Sequence, residues 1–138
     1  MAFDQTLTTS FKQEVLLGVH DLDTDTLKLA LFTAEADLGA ATTVYSTANE
    51  VVGAGYVAGG NTLTGVTVLT SGTTAYVDFA DSTWNPAAFT ARGALIYNAS
   101  KGNKSIAVLD FGADKTATTS FTVQMPANTA TSALIRFA

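Results

Sequence analysis

Leu27-Lys28-Leu29-Ala30-Leu31-Phe32 is the stretch whose period decides the fold. Side chains of an extended chain alternate between two faces. Leu27, Leu29 and Leu31 therefore point one way, and Lys28, Ala30 and Phe32 the other. Both sets are largely apolar, which predicts an inner strand covered on both faces rather than a surface strand. Upstream the period is different. Ser10 precedes Phe11-Lys12-Gln13-Glu14-Val15-Leu16-Leu17-Gly18. Ser10 and Gln13 have capping-box spacing, Phe11, Val15 and Leu16 share a helical face, and Gly18 can end the helix. The spacing predicts one short helix over 10–18. Residues 1–9 show no strong period and are expected to form an extended arm.

Downstream of residue 32 every clear pattern has period two. Residues 49–61 hold Gly53, Gly55, Gly59 and Gly60 and read as a long loop. Strand signals run over 62–70 and 73–79, and Ser71-Gly72 between them predicts a hairpin. Ala75, Val77 and Phe79 should face inward, with Tyr76 and Asp78 outward. Trp84-Asn85-Pro86 marks a corner. Further strands are expected at 89–97, 105–111, 121–125 and 132–137, separated by turns at 101–104 and 126–131 and by a loop at 112–120. About eight strands with turn chemistry between them point to an all-β fold: an antiparallel β-sandwich, jelly-roll-like, with one short N-terminal helix. A single domain over 1–138 is expected, with the sandwich over 27–137. Phe79, Phe111, Phe121 and Ile135 are its expected core.

Composition narrows the function. The chain has no cysteine, a single histidine, 14% charged and 47% hydrophobic residues, and a formal charge of −5. Zero cysteine removes disulfides, thiolate nucleophiles and zinc–cysteine sites together. The five lysines and two arginines are scattered, so no stripe exists to track phosphates, and nucleic acid is not an expected partner. The N-terminus lacks the basic start and apolar core of a secretory signal, and no apolar run approaches a membrane span of roughly 18 residues. Synthesis in a cytoplasm and no membrane partner are the expectations. Mean hydropathy is +0.26, which hints at apolar surface kept for a partner.

The individual motifs read as structure. His20 follows the helix end, where it complements the helix dipole, and no partner for it is recognisable in the sequence. Asp21, Asp23 and Asp25 alternate like the start of a calcium loop. An EF-hand then needs glycine at its sixth position and glutamate at its twelfth, and Thr26 and Phe32 stand there instead. A solvated turn is expected. Gly53-Ala54-Gly55-Tyr56-Val57-Ala58 spells a dinucleotide fingerprint, but a strand pattern rather than a helix follows it. Those glycines are expected to permit positive φ and close packing. Arg92 lies beside apolar residues, so an acidic partner is expected for it from Asp78, Asp81 or Asp110, or else contact with a partner chain. No catalytic, cofactor-binding or metal-ligating residue emerges, and the chain is not expected to be an enzyme.

Several strings taken together resemble a known family. They are Phe11-Lys12-Gln13-Glu14 with Gly18, Leu27 to Phe32, Asn49-Glu50-Val51 with Gly55-Tyr56 and Gly59-Gly60, Phe89-Thr90-Ala91-Arg92-Gly93-Ala94, and Val108-Leu109-Asp110-Phe111-Gly112. The chain resembles the small virion proteins of tailed bacteriophages, among them the capsid cement, or decoration, proteins. The resemblance spans almost the whole chain on soft motifs. It implies a jelly-roll-like fold and a place on the capsid exterior, in a virion assembled from protein made in a bacterial cytoplasm. It also implies the major capsid protein as partner, self-association as a homodimer or other small symmetric oligomer, and no cofactor. Within the arm and the glycine loop, Phe3, Asp4, Gly55 and Tyr56 are candidate capsid contacts, and Arg92 is a fifth. A tail or tail-fibre component remains open. So does a carbohydrate-binding module using Tyr45, Tyr56, Tyr76, Tyr97 or Trp84 as stacking platforms.

Overall fold

A computed structural model describes residues 3–126, 129 and 131–137. The chain is mostly β, with antiparallel sheets and one short α-helix, and the fold is an all-β sandwich-like one. Leu27–Phe32 forms β2, near the middle of a five-stranded sheet. Its neighbours are β7 (Phe89–Asn98) on one side and the short β3 (Asn61–Thr62) on the other. Beyond β7 lie β8 (Lys104–Ala117) and then β1 (Thr6–Leu7). All these pairings are antiparallel.

Both faces of this sheet are covered, which is why β2 is apolar on both. Leu27, Leu29 and Leu31 join Ile96, Ile106 and Ala94 in the larger core. Over that face lie a three-stranded sheet of order β10 (Ile135–Phe137), β5 (Thr74–Asp78), β4 (Thr67–Ser71), and a ribbon of β6 (Ser82–Trp84) with β9 (Phe121–Val123). Val77, Phe79, Trp84, Phe121 and Ile135 supply the facing side chains. On the opposite face Ala30, Phe32, Leu95 and Val108 form a second cluster, covered by Phe3, Ala36 and the loop over 33–50.

The helix is α1, Thr9–Leu16. Its N-cap is Thr8, not Ser10: the Phe11 N–H donates to the Thr8 hydroxyl at 3.3 Å. Thr8 is fully buried and reaches the backbone of β8, so the cap also ties α1 to the sheet. Phe11 is the buried face of α1. Leu16 is not on it, being 87% exposed. Gly18, at φ +73°, turns the chain away after the helix.

The expected extended arm is instead built into the fold. Residues 1 and 2 lie outside the described residues. Phe3 is buried and bridges Leu38, and β1 pairs Thr6 with Val108 and Leu7 with Ala107. Phe3 fits because Gly93 has no side chain: a Cβ there would come within 2.5 Å of the Phe3 ring.

The hairpin occurs as expected, with Thr67 opposite Asp78 and Ser71 opposite Thr74. The strand expected over 62–70 is broken, because Gly65, at φ +63°, carries the chain from the large sheet to the small one. Trp84 closes a strand, and the corner comes after it. The loop expected over 112–120 is a strand as far as Ala117. Two steps along β7, from Ala91 to Gly93, match five along β8, from Lys115 to Asp110. The bulge contains Gly112 at φ +81° and bends the long hairpin, which hides the strand's period. Phe111, at that bulge, is only partly buried.

Phe121→Ala is expected to cost about 3 kcal/mol, the lower end for a buried phenylalanine, because Phe121 keeps 8% of its surface exposed. Equilibrium urea denaturation measures this. A loss under about 1 kcal/mol would show that the β6–β9 ribbon does not close the core.

Candidate functional site

A buried carboxylate with several hydrogen-bond partners lies under the glycine loop. Glu50 is only 7% exposed. Its Oε1 accepts from the Tyr45 hydroxyl at 2.6 Å, and its Oε2 accepts from the Tyr56 hydroxyl and from the Gly59 N–H at 2.8 Å. The Tyr56 oxygen in turn accepts from the Leu31 N–H at 2.9 Å. The Tyr97 hydroxyl donates to the Gly59 carbonyl at 2.7 Å, and the Tyr45 and Tyr97 rings stack with centroids 4.4 Å apart.

The placement follows from the sheet. β3 covers only the first part of the β2 edge, at Lys28 and Leu29. Beyond it, the Val51 N–H bonds the Leu31 carbonyl and Tyr56 bonds the Leu31 N–H. The loop thus satisfies an edge that would otherwise be open. Burial raises the Tyr45 and Tyr56 hydroxyls well above their ordinary range, and the Glu50 carboxylate adds to the effect. Burial, with Glu50 nearby, pushes Tyr97 up to about 12. In this arrangement the carboxylate and the hydroxyls hold the loop to the sheet.

A second network surrounds His20, whose side chain is fully buried. The absence of partners expected from sequence is corrected here. His20 Nε2 lies 2.9 Å from Glu14 Oε1, and Nδ1 lies 3.0 Å from Asn98 Nδ2. Asn98 Oδ1 accepts from the Ser100 N–H, and Nδ2 also donates to Asp25 Oδ2 at 2.8 Å. That fixes the amide's orientation, so Nδ1 is an acceptor and the Nε2–H donates to Glu14. The imidazole joins the end of α1 to the last residue of β7.

Asp25 terminates this network. It accepts from the Asp21 N–H at 3.0 Å and from Lys101 Nζ at 2.9 Å. Burial alone would raise its carboxyl. The hydrogen bonds from Asn98 and Asp21 and the Lys101 ammonium outweigh burial and hold it at about 2. The folded value is below the ordinary carboxylate value of 3.8, so the contribution to stability is present above about pH 4. It is lost as pH falls through the folded value. Asp25→Asn should therefore cost roughly 1–2 kcal/mol at neutral pH and almost nothing near pH 2. Urea denaturation at the two pH values checks this, and an equal cost at both would disprove the ionic origin.

The five candidate contacts do not form one surface. Phe3 is core, and Tyr56 is half-buried with its hydroxyl in the Glu50 cluster, so both are corrected from free contacts to structural residues. Asp4 and Gly55 are exposed. Arg92 is partly exposed, with Nε 3.5 Å from Asp110 Oδ1, the pairing expected from sequence. Three of the five aromatic platforms are also corrected: Trp84 is 4% and Tyr97 2% exposed, and Tyr56 stacks on Trp84 inside the fold, whereas Tyr76 is half-buried at an open groove. Asp21 and Asp23 sit in the expected exposed turn. Among the described residues no helix is long and apolar enough to cross a membrane. Sequence reasoning missed Glu50 as an anchor and Glu14 as a partner for His20. Comparison with family models, with curated proteins and with solved structures finds no match.

Proposed function

We propose that the chain is a virion structural protein that decorates the outside of a tailed-phage capsid, bridging subunits of the major capsid protein. The carrying observation is the family-like strings at 11–18, 27–32, 49–60, 89–94 and 108–112, spread over most of the chain. The glycine loop gives this reading a concrete contact surface. Val52 and Val57 are 95% and 76% exposed on a backbone fixed by Glu50. Exposed aliphatic side chains on a pre-ordered loop bind without the entropic cost of ordering the loop. In this reading the loop takes over the contact role expected of the arm, whose residues hold the fold together. The role is structural: it calls for self-association and the major capsid protein, and for no cofactor, nucleic acid or membrane.

The test is to incubate the purified chain with heads lacking decoration and to image them by electron microscopy. Ordered many-fold density outside the shell is expected. Val52→Asp with Val57→Asp should weaken attachment at least about tenfold while the thermal melt stays unchanged. Density only on tails would replace this reading with a tail component.

A further inference from the structure

We propose that the groove between the end of α1 and the β10–β5–β4 sheet is a self-association site, filled in a symmetric dimer by Leu16 and Leu17 of a second copy. The proposal rests on the self-association part of the reading above, but not on the capsid.

The groove is where the two layers fail to close. Ile135, Val77 and Val68 lie in one cross-strand row, and Phe137, Ala75 and Thr70 in the row two residues on. Paired residues of neighbouring strands point to the same face. Ile135 and Val77 are buried, whereas Val68 is 47% and Phe137 48% exposed. The apolar face of the small sheet thus runs on past the core that covers it. Across from it α1 ends at Leu16, and Gly18 turns the chain away. What remains is a groove of about 410 Å³ walled by Val15, Leu22, Val68 and Phe137, with Asp21 and Asp23 on its rim.

The same surface carries the matching shape and charge. Leu16 and Leu17 are 87% and 70% exposed and stand beside the groove rather than lining it. Lys12 lies four residues before Leu16, on the same helix face. Among the described residues Lys12, Asp21 and Asp23 make no ion pair. A two-fold axis near the end of α1 would seat the leucines of each copy in the groove of the other. It would also set each Lys12 against the other copy's acidic rim. Knob, groove, cation and anions all belong to one patch, as a closed two-fold contact requires. That self-complementarity favours a second copy over an unrelated partner.

Sedimentation equilibrium of the full chain tests the proposal without capsids. A dimer is expected. Leu16→Asp with Leu17→Asp changes only exposed side chains, so circular dichroism should be unaltered, and dimerisation should weaken at least about thirtyfold. Lys12→Glu should weaken it a few-fold at low salt, and adding Asp23→Lys should restore it. A parent chain that stays monomeric would overturn the proposal and leave the groove to another protein's side chains. A double-leucine variant that dimerises as tightly as the parent would overturn it too, by placing the interface elsewhere. A monomeric parent would also remove the self-association part of the reading above, but attachment to heads is read by imaging alone, so the failure of one reading is distinguishable from the failure of the other.

Discussion

Glu50→Ala is expected to cost about 3–5 kcal/mol, because it removes the acceptor of three hydrogen bonds and leaves their donors inside the fold. Hydrogen bonds to a carboxylate are roughly twice as strong as neutral ones. Water re-entering beside the half-buried Tyr45 and Tyr56 recovers part of the loss, which keeps the figure below the sum of three separate terms. Glu50→Gln keeps the shape and one acceptor oxygen, and should cost about half as much. Denaturation midpoints give both values, and a loss below about 1 kcal/mol for the alanine variant would mean that the cluster is solvated. The tyrosines add a pH signature. Their folded values lie above the ordinary value of 10.0, so the neutral hydroxyl is favoured in the folded chain. The unfolded chain gives up these protons first, so stability holds below about pH 10 and falls as pH rises beyond it. Tyr56→Phe should move the onset of alkaline unfolding upward relative to its own neutral-pH stability.

Much of the fold was legible because local pattern and burial agree. Leu27 to Phe32 is apolar on both sides and is buried on both. The 67–78 hairpin forms, with its turn at Gly72-Thr73, one residue past the expected Ser71-Gly72, and Phe121 and Val123 face inward. The misreadings have physical causes. The tail of β8, Ala113-Asp114-Lys115-Thr116-Ala117, has little apolar alternation, since four of its residues are exposed. It is a strand only because Phe89, Thr90 and Ala91 pair with it. Phe3, among polar neighbours, looked free, and its pocket exists only through Gly93, far along the chain. Glu50 left one usable signal. It is the only charged residue between Asp37 and Asp78, and tyrosines stand five residues before and six after it. A lone carboxylate bracketed by hydroxyls is a candidate for burial. The His20 pairings were harder to see, because Asn98 lies seventy-eight residues away and joins only through β7.

Gly60→Ala is expected to be among the most damaging single-methyl changes, costing above about 4 kcal/mol. Two effects add. Gly60 has φ +78°, which costs an L-residue roughly 1–2 kcal/mol. An added Cβ would also lie 1.9 Å from the Leu29 carbonyl oxygen and 2.8 Å from the Ala30 Cα. Both atoms belong to β2, which β7 and the two cores hold in place, so the loop must lift instead. Lifting it pulls Gly59 from Glu50 and Tyr97. Gly72, in the β4–β5 turn, separates the two effects. It has φ +59°, and a Cβ there would meet nothing within 4 Å. Gly72→Ala should therefore show the conformational cost alone, about 1–2 kcal/mol. Equal costs at the two positions would mean that the loop rides off the strand without penalty, contradicting its role as an anchored platform. If that role holds, Gly60→Ala should also weaken head attachment beyond what its lower stability explains, because Val52 and Val57 would lose their fixed positions. Attachment measured well below the variant's melting temperature separates the two.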